Sequence, residues 1–240
     1  MRRSRLSMIA VFLATAGVVT AVAQGQGNQP ACSIPTSVVN NVLGQLASVV
    51  QLPNGGFFQP NLMWAAVSDR QGVLCGVTRS DADAWPGSRD IAIAKAYTAN
   101  AFSNHFFALS TANLYGPTQP GGSLYGLNNS NPFNPVFNPQ GTGNGAVVGG
   151  MITFGGGVPL YSNGQVIGGL GVSGDSSCAD HFVAYRMRAQ ANLNGTPNSD
   201  NIVYYAGDKG ADGLITSPTQ VDPSKFNQPH CRGASIDVTP

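Results

Sequence analysis

The stretch Ser88-Arg89-Asp90-Ile91-Ala92-Ile93-Ala94-Lys95-Ala96-Tyr97-Thr98-Ala99 decides the fold. Ile91, Ala94, Lys95, Thr98, Ala99 and Phe102 recur at helical spacing, and the pattern predicts a long helix running on to Phe106 and Leu109. Ser88 is placed as its N-cap, with Asp90 in the first turn where a carboxylate meets the positive helix end. Its alanines suit close packing against another element. The natural partner is Gly164-Gln165-Val166-Ile167-Gly168-Gly169-Leu170-Gly171-Val172-Ser173-Gly174, a strand whose glycines permit close backbone approach.

Outward from this pair the chain alternates elements. Ile34 to Val50 has apolar residues three and four apart and predicts a helix, stopped by Pro53, Asn54, Gly55 and Gly56. Leu62 to Ser68 and Val73 to Thr78 read as a hairpin across Asp69-Arg70-Gln71-Gly72. Met151 to Phe154, Val158 to Tyr161 and Gln165 to Val172 read as strands, the last two joined at Ser162-Asn163-Gly164. Cys178 to Ala191 closes the series as a helix, with Asp175, Ser176 and Ser177 at its start. The order predicts an α+β domain, a five-stranded antiparallel sheet with helices packed on it.

Two stretches fall outside this pattern. Residues 115–150 are rich in Gly, Pro and Asn, yet Tyr115, Tyr125, Phe133 and Phe137 predict an ordered flap over a disordered loop. Residues 193–240 are polar, with one candidate strand at Ile202 to Tyr205, and read as an extension packed on a domain spanning 24–192.

Residues 1–23 have the form of a secretory signal: Arg2, Arg3 and Arg5, an apolar run from Met8 to Val22, and Ala21-Val22-Ala23 before the expected cut. The expectation is a secreted or periplasmic protein with no stable membrane insertion after cleavage. Loss of those arginines takes 12 basic residues to 9 against 11 acidic ones, net −2, which excludes an electrostatic footprint for nucleic acid. All 11 acids are aspartates, so no chemistry built on glutamate is available. Cys32, Cys75, Cys178 and Cys231 predict two disulfides in an oxidising compartment; the favoured pairing is Cys32 with Cys231 and Cys75 with Cys178, among three that the count allows.

Three ordered motifs resemble one family. They are the 88–99 helix, Gly155-Gly156-Gly157-Val158-Pro159-Leu160, and the 164–174 strand leading to Asp180. Together they resemble the GlcG/HbpS haem-binding proteins and the domain shared with the C-terminal part of PduO-type proteins, here in a long secreted form. The resemblance implies a profilin-like α-β-α domain, assembly into a homo-oligomer, and haem or haem-iron as ligand, in sensing, scavenging or protection from oxidants.

A haem site needs an apolar slot, an axial ligand and cations for propionates. His181 is the candidate iron ligand, kept neutral near a helix start. Lys95, Thr98, Tyr97, Arg89 and His105 complete the candidate site, and His230 is placed as structural or solvent-exposed. For each a bland alternative stands: His181 bonded to the adjacent turn, His105 at a subunit interface, Arg89 and Lys95 in salt bridges with aspartates. The middle helix and the glycine strand are expected to enclose a hollow for a flat, anionic guest. Two further functions stay open: an enzyme acting on a small organic anion or aldehyde through Lys95, Tyr97, Asp180 and His181, and an accessory oligomeric subunit without a ligand.

Overall fold

The computed structural model describes residues 31–130, 150–195, 199–205 and 222–229. Its helices and strands are α1 (Thr36–Gly44), α2 (Leu46–Val49), β1 (Trp64–Asp69), β2 (Leu74–Arg79), α3 (Pro86–Ala101), α4 (Leu127–Ser130), β3 (Gly157–Ser162), β4 (Gln165–Ser173) and α5 (Ser177–Gln190). The strands form one antiparallel sheet in the order β2-β1-β4-β3. Two hairpins meet along the central β1–β4 seam, which pairs Trp64 with Ser173 and Asp69 with Gly168. Asn163 and Gly164 close the β3–β4 hairpin with positive φ at both positions, as a two-residue turn requires.

Alternation along the strands gives the sheet two faces. Ala65, Val67, Val158, Leu160, Leu170 and Val172 face α1, α2 and α5, where they meet Val42, Leu46, Val49, Phe182, Val183 and Met187. Each such large side chain contributes about 1.5–3 kcal/mol on full burial. The other face carries α3, and here the glycines matter. A Cβ on Gly171 would lie 2.0 Å from the carbonyl oxygen of Ala92, and one on Gly169 would lie 2.1 Å from that of Ala96. The helix backbone therefore rests directly on the strand backbone, and α-β-α layering follows.

Several expectations are corrected. Among the described residues the sheet has four strands: Met151 to Phe154 does not join it, and the N–H of Ile152 donates instead to Thr98 Oγ1 (3.1 Å). The first helix divides at Gln45 into α1 and α2. Helix α3 begins two residues before Ser88, with Pro86 at its first turn and Trp85 in the cap position. It ends at Ala101, well before Leu109, because the Asn104 side chain accepts from the N–H groups of Phe106 and Phe107, a local turn that competes with helix. Cys32 pairs with Cys75, in place of the favoured pairing. The reason is local: Asp69 in the β1–β2 turn accepts from the N–H and hydroxyl of Ser33, which lays the start of the chain against β2. Cys178 is also disulfide-bonded; Cys231 lies outside the described residues.

The expected flap is folded from Tyr115 to Ser130, where it holds a short 3₁₀ turn at Gly116–Thr118 and α4; residues 131–149 lie outside the described residues. The expected strand at Ile202 to Tyr205 is a single bridge, Tyr204 with Gln228. Buried Arg188 holds this part of the chain through Asp200 and also donates to the Pro159 carbonyl and Asn194. No helix among the described residues is long and apolar enough to cross a membrane.

Candidate functional site

The N-terminal ends of α3 and α5 and the C-terminal end of β4 converge at one end of the sheet. Between them opens a cleft of about 590 Å³. Its apolar wall is Phe57 and Phe58 from the loop before β1, Trp85 and Ile91 from the start of α3, and Phe154 from the segment before β3. Three of these rings stand unusually far into solvent: Phe57 is 58 % exposed, Phe58 44 % and Trp85 56 %. The rings of Phe58 and Trp85 lie 6.5 Å apart, tilted. Exposed aromatic surface grouped around a concavity is a mark of a binding site, since isolated chains rarely leave so much apolar carbon unburied without use.

Asp175 and Asp180 supply polar groups to the lining. Asp180, in the first turn of α5, accepts at one oxygen from the N–H of Asp175 (3.0 Å) and at the other from Lys95 Nζ (2.7 Å). Lys95 also donates to the Val172 carbonyl (3.0 Å) and sits over the Phe154 ring at 4.8 Å. The pair is wholly enclosed, and burial is the main influence on both members. It pushes Asp180 up to about 6, against the pull of Lys95, and it lowers the ammonium of Lys95, against the attraction of Asp180. Gly156 makes room for this pair: with φ of +122°, its missing Cβ would lie 2.7 Å from Lys95 Nζ. The hydrogen bonds leave Lys95 well satisfied and unable to reach solvent as placed.

His181, the next residue, is 1 % exposed, and neither ring nitrogen has a hydrogen-bond partner among the described residues. Burial, then the positive charges of Arg188 and Lys95, lower its pKa to about 3, so the imidazole is neutral at physiological pH. Its ring meets that of Tyr185 at 5.8 Å.

The other sequence candidates lie apart. Arg89 is buried and paired with Asp90 (3.4 Å). Thr98 is buried, donating to the Ala94 carbonyl (2.7 Å). Tyr97 packs beside Trp64, Leu74 and Ile93. His105 is on an exposed loop beyond α3, where Nδ1 accepts from the N–H of Val166 (3.2 Å). His230 lies outside the described residues. Lys95, Asp180 and His181 are brought together, but none of the six candidates for haem contact lines the cleft. Nor is there a hollow between α3 and β4, as the contacts of Gly169 and Gly171 show; the open space lies at their ends. Sequence reading missed Phe57, Phe58, Trp85, Ile91, Phe154 and Asp175 as cleft residues. Two adjacent phenylalanines inside a Pro/Asn/Gly breaker are the signal that was there to find.

An antiparallel sheet sandwiched by helices, with a ligand-sized aromatic cleft at one end, defines a small α+β binding domain. Comparison with known proteins then fixes its family. The family model described as haem degrading protein HbpS-like matches residues 60–189, more than half of the chain, and the chain belongs to the HbpS-like family. It is 34% identical over 119 residues to an uncharacterized 15.0 kDa protein of the dhaT-dhaS intergenic region of Citrobacter freundii, covering 50% of this chain and 68% of that protein. It is likewise 34% identical over 111 residues, 46% of this chain, to the corrinoid adenosyltransferase PduO of Salmonella typhimurium, but spans only 27% of that protein. Among solved structures, a PduOC:heme complex matches with a TM-score of 0.51 and 27% identity, over 67% of this chain and 96% of that one.

Proposed function

We propose that this protein binds haem, or a closely related flat macrocycle, in the cleft walled by Phe57, Phe58, Trp85 and Phe154, and does so outside the cytoplasm as a homo-oligomer. The observation that carries the reading is the aromatic cleft itself, in a member of a family described by haem. Its volume falls in the range of about 300–1,000 Å³ usual for small-molecule sites, and aromatic carbon suits the faces of a porphyrin. For the ring, then, the residues fit. For the iron they do not: the lining described holds no imidazole, thiolate or thioether, and so no axial ligand is assigned from it. With Asp175 and Asp180 in the lining, the propionates of a bound porphyrin would be disfavoured inside the cleft and would be left to solvent. The disulfides support an oxidising compartment.

Titration of the purified oxidised protein with haemin tests the reading. Saturable quenching of tryptophan fluorescence with a shifted Soret band is expected, weakened at least about tenfold by Trp85→Ala. An unshifted spectrum at micromolar protein refutes it.

A further inference from the structure

The two phenylalanines of the cleft's edge are held by their backbone, through a carboxylate that arrives from far along the chain. Asp175 Oδ1 accepts from the N–H of Phe57 (2.7 Å) and of Ser176 (2.6 Å). Its Oδ2 accepts from the N–H of Phe58 (3.0 Å) and from Asn61 Nδ2 (2.8 Å). Both oxygens are thereby saturated by donors on the loop and at the start of α5. The same Asn61 amide donates to the Phe58 carbonyl (2.9 Å), and Asn54 accepts from the N–H of Gly56 (3.0 Å). Gly56 leaves the space that this wrapping needs: a Cβ there would fall 2.7 Å from Asp175 Cγ and 2.6 Å from Asn61 Nδ2. The Phe57 and Phe58 rings are about half exposed, and the Phe58 ring meets that of Trp85 at 6.5 Å.

We propose that Asp175 is the positioning residue of the cleft: by clamping the backbone of Phe57 and Phe58 it holds their rings at the rim of the cleft, where the Phe58 ring lies 6.5 Å from that of Trp85, so that a ring-shaped ligand meets a preformed aromatic edge. The inference rests on the reading of the cleft as a ring-binding site and names what preforms its edge. A purely capping role for Asp175 at α5 accounts for its bond to Ser176, which lies beside it in the chain. It leaves the bonds to Phe57, Phe58 and Asn61 without purpose, and these reach across 114 to 118 residues. The clamp is anchored in turn, since the N–H of Asp175 donates to Asp180, which Lys95 holds.

Two variants loosen the clamp by different means. Asp175→Asn keeps the shape but turns an amide donor toward one pair of N–H groups; Gly56→Ala drives a methyl group into the carboxylate and leaves its chemistry intact. The measurements are amide hydrogen exchange in ligand-free protein, haemin titration, and titration with anilinonaphthalene sulfonate as a non-planar apolar probe. In both variants exchange at Phe57 and Phe58 should quicken by about tenfold or more, the equivalent of one charge-assisted hydrogen bond, while β1 and β4 amides keep their protection. Haemin affinity should fall by about tenfold, and affinity for the non-planar probe by less than about threefold. Wild-type exchange rates at both amides in both variants overturn the clamp. A loosened edge with haemin affinity within about twofold of wild type overturns its role in binding. Wild-type protein that binds no haemin overturns the ring-binding reading instead, and the exchange data separate that result from failure of the clamp.

Discussion

His181→Leu should make this protein more stable, and increasingly so as the pH falls. The imidazole is 1 % exposed with both nitrogens unpartnered among the described residues. A buried polar group left unsatisfied costs about 1–3 kcal/mol, a cost that an apolar side chain of similar volume does not incur. Leucine is also the better helix former inside α5. The gain at pH 8 is therefore about 1–3 kcal/mol, less whatever strain the change of shape introduces. Acid adds a second effect. The histidine titrates at about 3 when folded and at 6.5 by its ordinary value. Between those values the unfolded chain binds the proton and the folded one does not, so wild-type stability falls as pH drops through that window. At pH 5 the loss is about 2 kcal/mol, with nearly all of it still absent at pH 8. Asp180 acts in the opposite sense: raised to about 6, it takes up a proton in the folded state first and stabilises that state as pH drops toward 3.8. Both proteins carry Asp180, so its effect cancels in their difference. Urea unfolding of the two at pH 8 and pH 5, followed by circular dichroism with disulfides intact, should show the gap widening by about 2 kcal/mol at unchanged m-value. A variant less stable than wild type at pH 8 by more than about 1 kcal/mol, or a gap that does not change with pH, refutes the reasoning.

The remaining predictions concern what holds the site in place. Cys32→Ser with Cys75→Ser opens a loop of sequence separation 43 and should lower stability by about 4 kcal/mol in chemical unfolding; a loss below about 1 kcal/mol contradicts the tether. Lys95→Met and Asp180→Leu each leave a buried polar partner stranded and should cost about 3–5 kcal/mol, whereas the double variant should recover at least about 2 kcal/mol of their sum. Additive losses in that cycle exclude a coupled pair. Gly171→Ala places its methyl 2.0 Å from the Ala92 carbonyl and should cost more than about 3 kcal/mol or prevent folding; Gly164→Ala, with positive φ but open space, should cost only about 1 kcal/mol.

The parts that could be read from sequence are those whose cause lies within a few residues. The periodicity of 91–102 marks α3, Asn163-Gly164 marks a hairpin, and Ser176 caps α5 by accepting from the N–H of Ala179 (3.3 Å). What could not be read depends on partners distant in sequence. Residues 151–154 are apolar enough for a strand, yet their neighbourhood is spent on Thr98 and on Gln228, which accepts from the N–H of Gly155 (2.8 Å). The Cys32–Cys75 bond follows from Ser33 docking on Asp69, a contact that no spacing rule reveals. Among site residues, Lys95, Asp180 and His181 were legible as chemistry placed on a packed helix or at a helix start. Phe57, Phe58 and Asp175 were not, since their meeting requires loops more than a hundred residues apart to close on each other.

The glycine strand also explains why the cleft lies where it does. Had β4 carried ordinary side chains at 169 and 171, α3 would ride at the usual distance from the sheet, with those side chains filling the gap. With glycine at both positions the helix sinks until the Ala92 and Ala96 carbonyls nearly touch the strand, and no ligand fits between them. Space can then open only where one of the two surfaces stops. At Ser173 the strand ends, Gly174 turns the chain with φ of +156°, and the start of α5 is set beside the start of α3. Two helix N-termini gathered at one place carry partial positive charge that solvent or a carboxylate must offset. At the start of α5 Asp175 and Asp180 do so from within the chain, accepting from the N–H groups of Ser176 and Asp175, and aromatic rings line the rest of the opening. The close packing that made the middle helix recognisable in the sequence thus moves the binding space to the end of the sheet, under the control of residues that packing alone does not identify.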